Sequence, residues 1–304
     1  MSEADIHGVY GAPPADLAEV PAGALQFSPL RPGAEMLESH AGRLASITML
    51  APAGTIERGH ELALALQAVR PGGAVTLMAP LKRGGGRLAA ELRAFGIETE
   101  VASRRHHRIA HFARPAMLCG LDAAIAAGAP RILPDLGLWS QPGIFAFDRL
   151  DPATRLLIAA MPAPVGRGAD FGCGIGILSR AVLVSPAVTA LTLIDIDRRA
   201  VACAEHNVVD SRAAFLWVDI RAGTHLPVAL DFIVMNPPFH DGGIEDRSLG
   251  QDFLRRAAEA LRKGGRLYLT ANRHLPYEAV LAERFAVTRP LGEAEGYKLI
   301  EAVR

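Results

Sequence analysis

Along the second half of the chain, short aliphatic runs alternate with stretches in which apolar positions recur every three or four residues. Leu191–Ile194 predicts a strand, and Val201, Ala204 and Val208 fall on one face of a helix over Arg198–Val209. Phe215–Val218 and Phe232–Met235 predict two more strands. Asp252–Arg262 predicts a helix stopped by Gly264-Gly265, and Arg266–Thr270 a further strand. Strands that alternate with helices imply a mostly parallel sheet covered on both faces.

The first half echoes this pattern. ALQAVRPGGAVTLMAP (residues 65–80) and AAEALRKGGRLYLTAN (residues 257–272) share a helix, a glycine pair and an apolar strand. Each is followed by a helix and a strand–loop–strand, and each is preceded by a short strand ending near proline, ITMLAPAG in one half and FIVMNPPFH in the other. The repetition predicts an internally duplicated α/β unit. The proline- and glycine-bearing stretch Leu133–Ile144 marks the junction, dividing the chain into residues 1–134 and 135–304. The first copy is expected to be reduced. Too few residues precede Ile47 for three strand–helix units, no alternating glycine triplet G-x-G-x-G occurs, and Ala51-Pro52 stands where Asn236-Pro237 stands in the second copy.

Composition narrows the class. Half of the 304 residues are hydrophobic and 21% charged, which supports well-filled cores and excludes a disordered chain. Thirty-two basic residues balance thirty-two acidic ones, which argues against a general nucleic-acid coat protein and leaves room for a local basic patch. Cys119, Cys173 and Cys203 lack metal-type spacing and read as reduced thiols. The acidic start MSEADIHGVYGAPP has no signal-peptide core, and no run of about 18 apolar residues predicts a membrane span. A cytoplasmic protein with no membrane association is the expectation.

Chemistry is written most clearly in GADFGCGIGILSRAVL, residues 168–183. Gly172, Gly174 and Gly176 alternate behind Asp170, and an apolar helix begins at Ile177. Such a loop lets backbone approach a ligand closely. The spacing G-x-G-x-G differs from the dinucleotide pattern G-x-G-x-x-G. Asp195 closes the next strand about 20 residues on, where a ribose diol would need a carboxylate acceptor. Asp197 suits the N-cap of the following helix. Asp219, closing the strand after that, could accept from an adenine amine or sit solvated at a strand end.

VMNPPFH, residues 234–240, follows another strand. Its prolines stiffen the turn, remove two amide donors and leave carbonyls as acceptors. Asn236 adds a side-chain carbonyl and Phe239 an aromatic face. Convergent acceptors beside a flat ring describe a seat for a planar group bearing an NH₂.

DFGCGIG, LIDID and NPPF, in this order and spacing, resemble class I S-adenosylmethionine-dependent methyltransferases acting on an exocyclic or amide nitrogen. More narrowly, PGIFAFDRLD, NPPFHDG, NRHLPY and GYKLIEAVR resemble the ribosomal RNA guanine-N2 methyltransferases of the "methyltransferase small" family, over Ser140–Arg304. The resemblance implies an α/β fold of two tandem Rossmann-like domains. The N-terminal one would be degenerate, without cofactor or chemistry. The C-terminal one would be a seven-stranded, mostly parallel sheet with a terminal antiparallel strand. It implies S-adenosyl-L-methionine as cofactor and S-adenosyl-L-homocysteine as product. Asp170 with the loop Gly172, Cys173, Gly174 and Gly176 would hold the cofactor's amino-acid end, Asp195 with Ile196 its ribose, and Asp219 its adenine. Asn236, Pro237, Pro238 and Phe239 would hold the target amine, with Asn236 also at the cofactor.

Ribosomal RNA or a ribosomal subunit is the implied partner, most naturally the small subunit, and a monomer is expected. The same turn also serves protein glutamine of a release factor and adenine of nucleic acids. A non-catalytic nucleotide sensor is the rival from another class, but it would have no use for Asn236–Phe239. Lys82–Arg114 holds eight Lys or Arg against three Glu. Arg83, Arg87, Arg104, Arg105 and Arg108 are therefore the expected RNA contacts, facing the cleft beside Phe239. His106, His107 and His111 have no further ligand type spaced to join them, so no metal is expected.

Overall fold

The computed structural model describes residues 5–238, 240–241, 244–245 and 247–304, and side chains outside 239–247. The chain divides into two compact units, Met1–Ala129 and Pro130–Arg304.

The first unit runs β1 (Ile6–Tyr10), β2 (Leu25–Gln26), β3 (Leu44–Leu50), α1 (Thr55–Ala68), β4 (Val69–Pro80), α2 (Leu88–Ala94), β5 (Val101–Arg104), β6 (His107–Ala113) and α3 (Leu121–Gly128). Its sheet has the order β2-β1-β3-β4-β6-β5, and β6 runs antiparallel to both neighbours. The expected shortening is borne out: two strands, with no α-helix between them among the described residues, precede β3. Arg58 on α1 is 1% exposed. Its Nε and Nη2 donate to Glu91 at 2.8 and 2.6 Å, and its Nη1 donates to the carbonyls of Pro52 and Ala53 at 2.9 and 2.8 Å. Gly84 makes room for it, because a Cβ there would lie 2.2 Å from Nη1.

The second unit opens with a short hairpin, β7 (Arg131–Leu133) and β8 (Leu138–Ser140), which overlaps the stretch Leu133–Ile144 expected as the junction. It continues with α4 (Pro152–Ala160), β9 (Gly166–Phe171), α5 (Ile177–Leu183), β10 (Val188–Asp195), α6 (Arg198–Asn207), β11 (Ala213–Trp217) and β12 (Leu230–Met235). A two-rung ladder of β13 (His240–Asp241) with β14 (Ile244–Glu245) leads to α7 (Arg247–Ala260), β15 (Leu261–Asn272), α8 (Glu278–Arg284), β16 (Val287–Ala294) and β17 (Tyr297–Val303). The seven-stranded sheet has the order β11-β10-β9-β12-β15-β17-β16. All its strands are parallel except the last in sequence, β17, which is antiparallel to β15 and β16. The blocks β15-β17-β16 and β4-β6-β5 repeat one arrangement.

Both faces of this sheet are covered, as the alternation predicts. On β12, Ile233 and Met235 join Leu254, Leu267 and Tyr277 in one core, while Phe232 and Val234 join Leu157, Leu191 and Tyr268 in another. β9 is poor in aliphatic residues because a partner covers it: a Cβ at Gly168 would lie 2.2 Å from the Phe232 ring. α6 stops at Asn207, two residues short of the predicted end. The Asn207 amide turns to bond Trp139 and Ile175 instead, accepting from Trp139 N at 2.7 Å and donating to the two carbonyls at 2.8 and 2.9 Å. From β9 the chain proceeds to β10 and β11 on one side, then returns to β12 on the other. This reversal opens a crevice at the carboxyl ends of β9 and β12, where open α/β sheets bind ligands.

Candidate active site

β9 delivers Asp170 to the rim of this crevice and the glycine loop follows. Gly172, Gly174 and Gly176 adopt φ of 78°, 53° and 86°, the left-handed region that side-chain-bearing residues avoid. The loop is pinned to β10: the amides of Gly172 and Cys173 donate to the Ile194 carbonyl at 2.9 and 3.0 Å. Gly174 N donates to Asp195 Oδ2 at 2.8 Å. Gly176 caps α5, and a Cβ on it would meet Val208 at 2.7 Å, so this glycine serves close packing of α5 against the end of α6.

The carboxylates differ in what they have left to offer. Asp170 is 1% exposed. Its Oδ2 accepts from Ser179 Oγ at 2.6 Å, while Oδ1 has no partner among the described residues. Burial pushes its carboxyl up to about 7, against the Ser179 hydrogen bond and reinforced by the charge of Asp195. Asp195 is half-buried, accepts also from Asp197 N at 2.9 Å, and is pushed up to about 6, first by burial. Asp197 caps α6 and pairs with Arg199 at 2.8 Å, as its position predicts. Asp219 caps the short 3-10 turn Ile220–Ala222 and pairs with Arg221 at 2.8 Å, so a ligand amine would share it with a guanidinium. The Ile196 carbonyl accepts from Trp217 Nε1 at 2.8 Å. Burial raises the Cys173 thiol well above its ordinary value, which leaves it neutral and unreactive.

At the end of β12, Asn236 is half-buried, Pro237 buried and Pro238 half-buried, whereas Phe239 lies outside the described residues. Asn236 Nδ2 donates to Asp151 Oδ2 at 2.9 Å and to Thr154 Oγ1 at 3.0 Å. Both residues belong to the start of α4, where Asp151 is the N-cap with proline next to it, accepting from Thr154 N at 2.9 Å. With both amide hydrogens engaged, Oδ1 is the end of Asn236 that can accept from an incoming amine.

Asp170, Gly172, Cys173, Gly174 and Asn236 line a single cleft with Phe145, Asp151 and Thr154. Asp195 is tied to it through Gly174, while Gly176, Ile196 and Asp219 stand outside its lining. Phe145, 63% exposed, and the pair Asp151 and Thr154 are absent from the sequence-derived site. Asp151-Pro152 was a legible helix start, but nothing local tied it to Asn236. The expected RNA contacts all lie in the first unit. Arg104 and Arg105 are exposed at the β5–β6 hairpin, with Arg105 paired to Asp16. Arg87 is exposed and donates to Thr55 at 3.2 Å, and Arg83 and Arg108 are half-buried. No group of three His, Cys, Asp or Glu among the described residues could hold a metal, and no described helix is long and apolar enough to cross a membrane.

The crevice fits a nucleoside cofactor with a cationic amino-acid end. The buried Asp170 Oδ1 awaits a donor, and a carboxylate and a glycine loop stand beside it. A sheet of this order with this loop and an Asn-Pro-Pro turn across the switch point is the arrangement of class I S-adenosylmethionine-dependent methyltransferases. Comparison with known proteins narrows it: residues 135–301 match the methyltransferase small domain model, and the chain belongs to that family. A protein of Pseudomonas paraeruginosa named ribosomal RNA small subunit methyltransferase C is 32% identical over 247 residues, covering 80% of this chain and 74% of its own. One of the same name from Shewanella pealeana is 34% identical over 165 residues, covering 53% and 48%. Among solved structures, the T. thermophilus 16S rRNA N2 G1207 methyltransferase (RsmC), in complex with AdoMet and guanosine, superposes with a TM-score of 0.78. It is 24% identical and covers all of this chain and 89% of its own, a likeness of fold across both units.

Proposed function

We propose that this chain transfers a methyl group from S-adenosylmethionine to the exocyclic N2 amine of a guanine in small-subunit ribosomal RNA. The observation that supports the reading best is Asn236, whose amide nitrogen is taken up by Asp151 and Thr154 in the cleft that also holds Asp170 and the glycine loop. The names of the relatives supply the RNA and the base.

Bound S-adenosylmethionine supplies a methyl on a cationic sulfur. Asp170 meets the cofactor's ammonium and Asp195 its ribose hydroxyls. A guanine amine is a poor nucleophile because its lone pair is delocalised into the ring. Asn236 Oδ1 and a proline carbonyl of the turn accept its two hydrogens, favour pyramidal nitrogen and aim the lone pair. Orientation of this kind can lower a barrier by several kcal/mol. The proton departs to solvent after transfer, so no titrating base is needed. The first unit binds no cofactor, and its arginines at 83, 87, 104, 105 and 108 contact RNA phosphate. The protein works in the cytoplasm as a monomer.

The test is incubation with labelled cofactor and, separately, deproteinised ribosomal RNA, assembled small subunits, release factor and DNA. N2-methylguanosine in the RNA digest is expected. Label confined to protein or DNA would overturn the assignment.

A further inference from the structure

We infer that Asp151 and Thr154, at the start of α4, are positioning residues for the transfer, acting on the target amine solely through Asn236. The inference rests on the amine-methylation reading of the site.

An asparagine amide has two ends that differ in chemistry but scarcely in shape. Unless something distinguishes them, the side chain can present either NH₂ or carbonyl to a substrate, and only the carbonyl can receive an amine hydrogen. The pair at the start of α4 distinguishes them. Asp151 Oδ2 accepts from the NH₂ end at 2.9 Å, and Thr154 Oγ1 accepts from the same nitrogen at 3.0 Å. The carboxylate adds a second effect. An anion hydrogen-bonded to an amide N–H draws electron density toward the amide oxygen, making it a stronger acceptor. A single oxygen, Asp151 Oδ2, does this while capping α4 through Thr154 N, so the helix that carries the anchor is fixed by the anchor itself. The residues are 85 and 82 positions from Asn236 in sequence, which is why the turn alone does not show the relay.

Two near-isosteric variants separate this role from a structural one. Asp151→Asn retains an N-cap oxygen and removes the charge; Asn and Asp cap equally well. Thr154→Val keeps the helix and removes an acceptor. In single-turnover assays on RNA, each is expected to slow methyl transfer about five- to tenfold, the effect of one hydrogen bond or one charge on it. Cofactor affinity, KM for RNA and melting temperature should be unchanged. In an Asn236→Ala background, neither substitution should slow the residual reaction further, because the group they act through is gone. Full activity of both variants in the wild-type background would overturn the inference, as would an equal loss in the Asn236→Ala background. The side-chain ¹⁵N–¹H signals of Asn236 give a readout that needs no substrate. Both protons are expected to be shifted from free-asparagine positions and protected from exchange with water, one altered by each variant. Amide protons at free-asparagine shifts that exchange rapidly with water would refute the anchoring. Failure to find N2-methylguanosine while the amide protons are shifted and protected would refute the proposed substrate alone.

Discussion

Asp170→Asn should make the cofactor-free protein more stable and a poorer cofactor binder. The buried carboxyl of Asp170 is raised from 3.8 to about 7. A carboxyl raised on folding takes up a proton in the folded state. Its contribution to stability is complete below about pH 4 and is lost as the pH climbs through about 7. Burial thus holds the carboxyl roughly three pH units above its ordinary value, at 1.36 kcal/mol for each. Holding the charged form at pH 8 therefore costs at most about 4 kcal/mol, an upper bound because relaxation and water entry soften such penalties. Asparagine keeps an oxygen for Ser179 and carries no charge toward Asp195. The variant should melt higher than wild type at pH 8, by about 2–4 °C for each kcal/mol recovered, and the two should converge only as the pH falls to about 4. Losing a charge-assisted hydrogen bond to the cofactor's ammonium, ~1.5–3 kcal/mol, should weaken binding roughly ten- to hundredfold by calorimetry at pH 8. A variant that melts lower at pH 8 and binds cofactor as wild type does would refute both halves of the reasoning.

The wild-type protein should bind S-adenosylmethionine more tightly as pH rises through about 7, where Asp170 sheds its proton, with proton release detectable by calorimetry in two buffers of different ionisation heat. Asp195→Ala should weaken cofactor binding by about 1–3 kcal/mol, since it strands the amides of Gly174 and Asp197 as well as the ribose. Asn236→Ala should leave cofactor affinity nearly intact and lower turnover by about a hundredfold; calorimetry showing lost binding with no separate rate effect would remove the amine-holding role. Replacing Arg104 and Arg105 by glutamine should weaken RNA binding and reduce the slope of log affinity against log salt by up to about two, with cofactor binding unchanged.

Much of the second unit was legible in the sequence because its strands and helices carry their own periodicity, and because glycines and prolines punctuate them. Asp170, Gly172, Gly174 and Asn236 could be brought together on paper, since parallel α/β topology puts strand ends on one edge. What escaped depends on distant partners. β9 shows no aliphatic pattern of its own because Phe232 lies over Gly168. α6 ends early for the sake of a bond to Trp139, 68 residues away. The anchoring of Asn236 by α4 joins segments that no local pattern connects, and the hairpin Arg131–Ser140 overlaps the stretch whose glycines and prolines marked a junction and signalled no strands. Phe145 escaped for the opposite reason: an exposed aromatic residue resembles one on its way into a core until its solvent face is seen.

Arg58 carries a lesson about the first unit. The turn after β3 corresponds in order to the turn after β12, with Pro52 and Ala53 in the places of Pro237 and Pro238. There the planar N–H donor is a side chain of the unit itself, held by two carbonyls in front and by Glu91 behind. The carbonyls of this turn accept from a flat nitrogen group supplied from within the unit. Restoring Asn-Pro-Pro to this half would therefore create no second catalytic centre. The guest's chair is taken by a member of the household, and Gly84, by having no Cβ, is what lets it sit there.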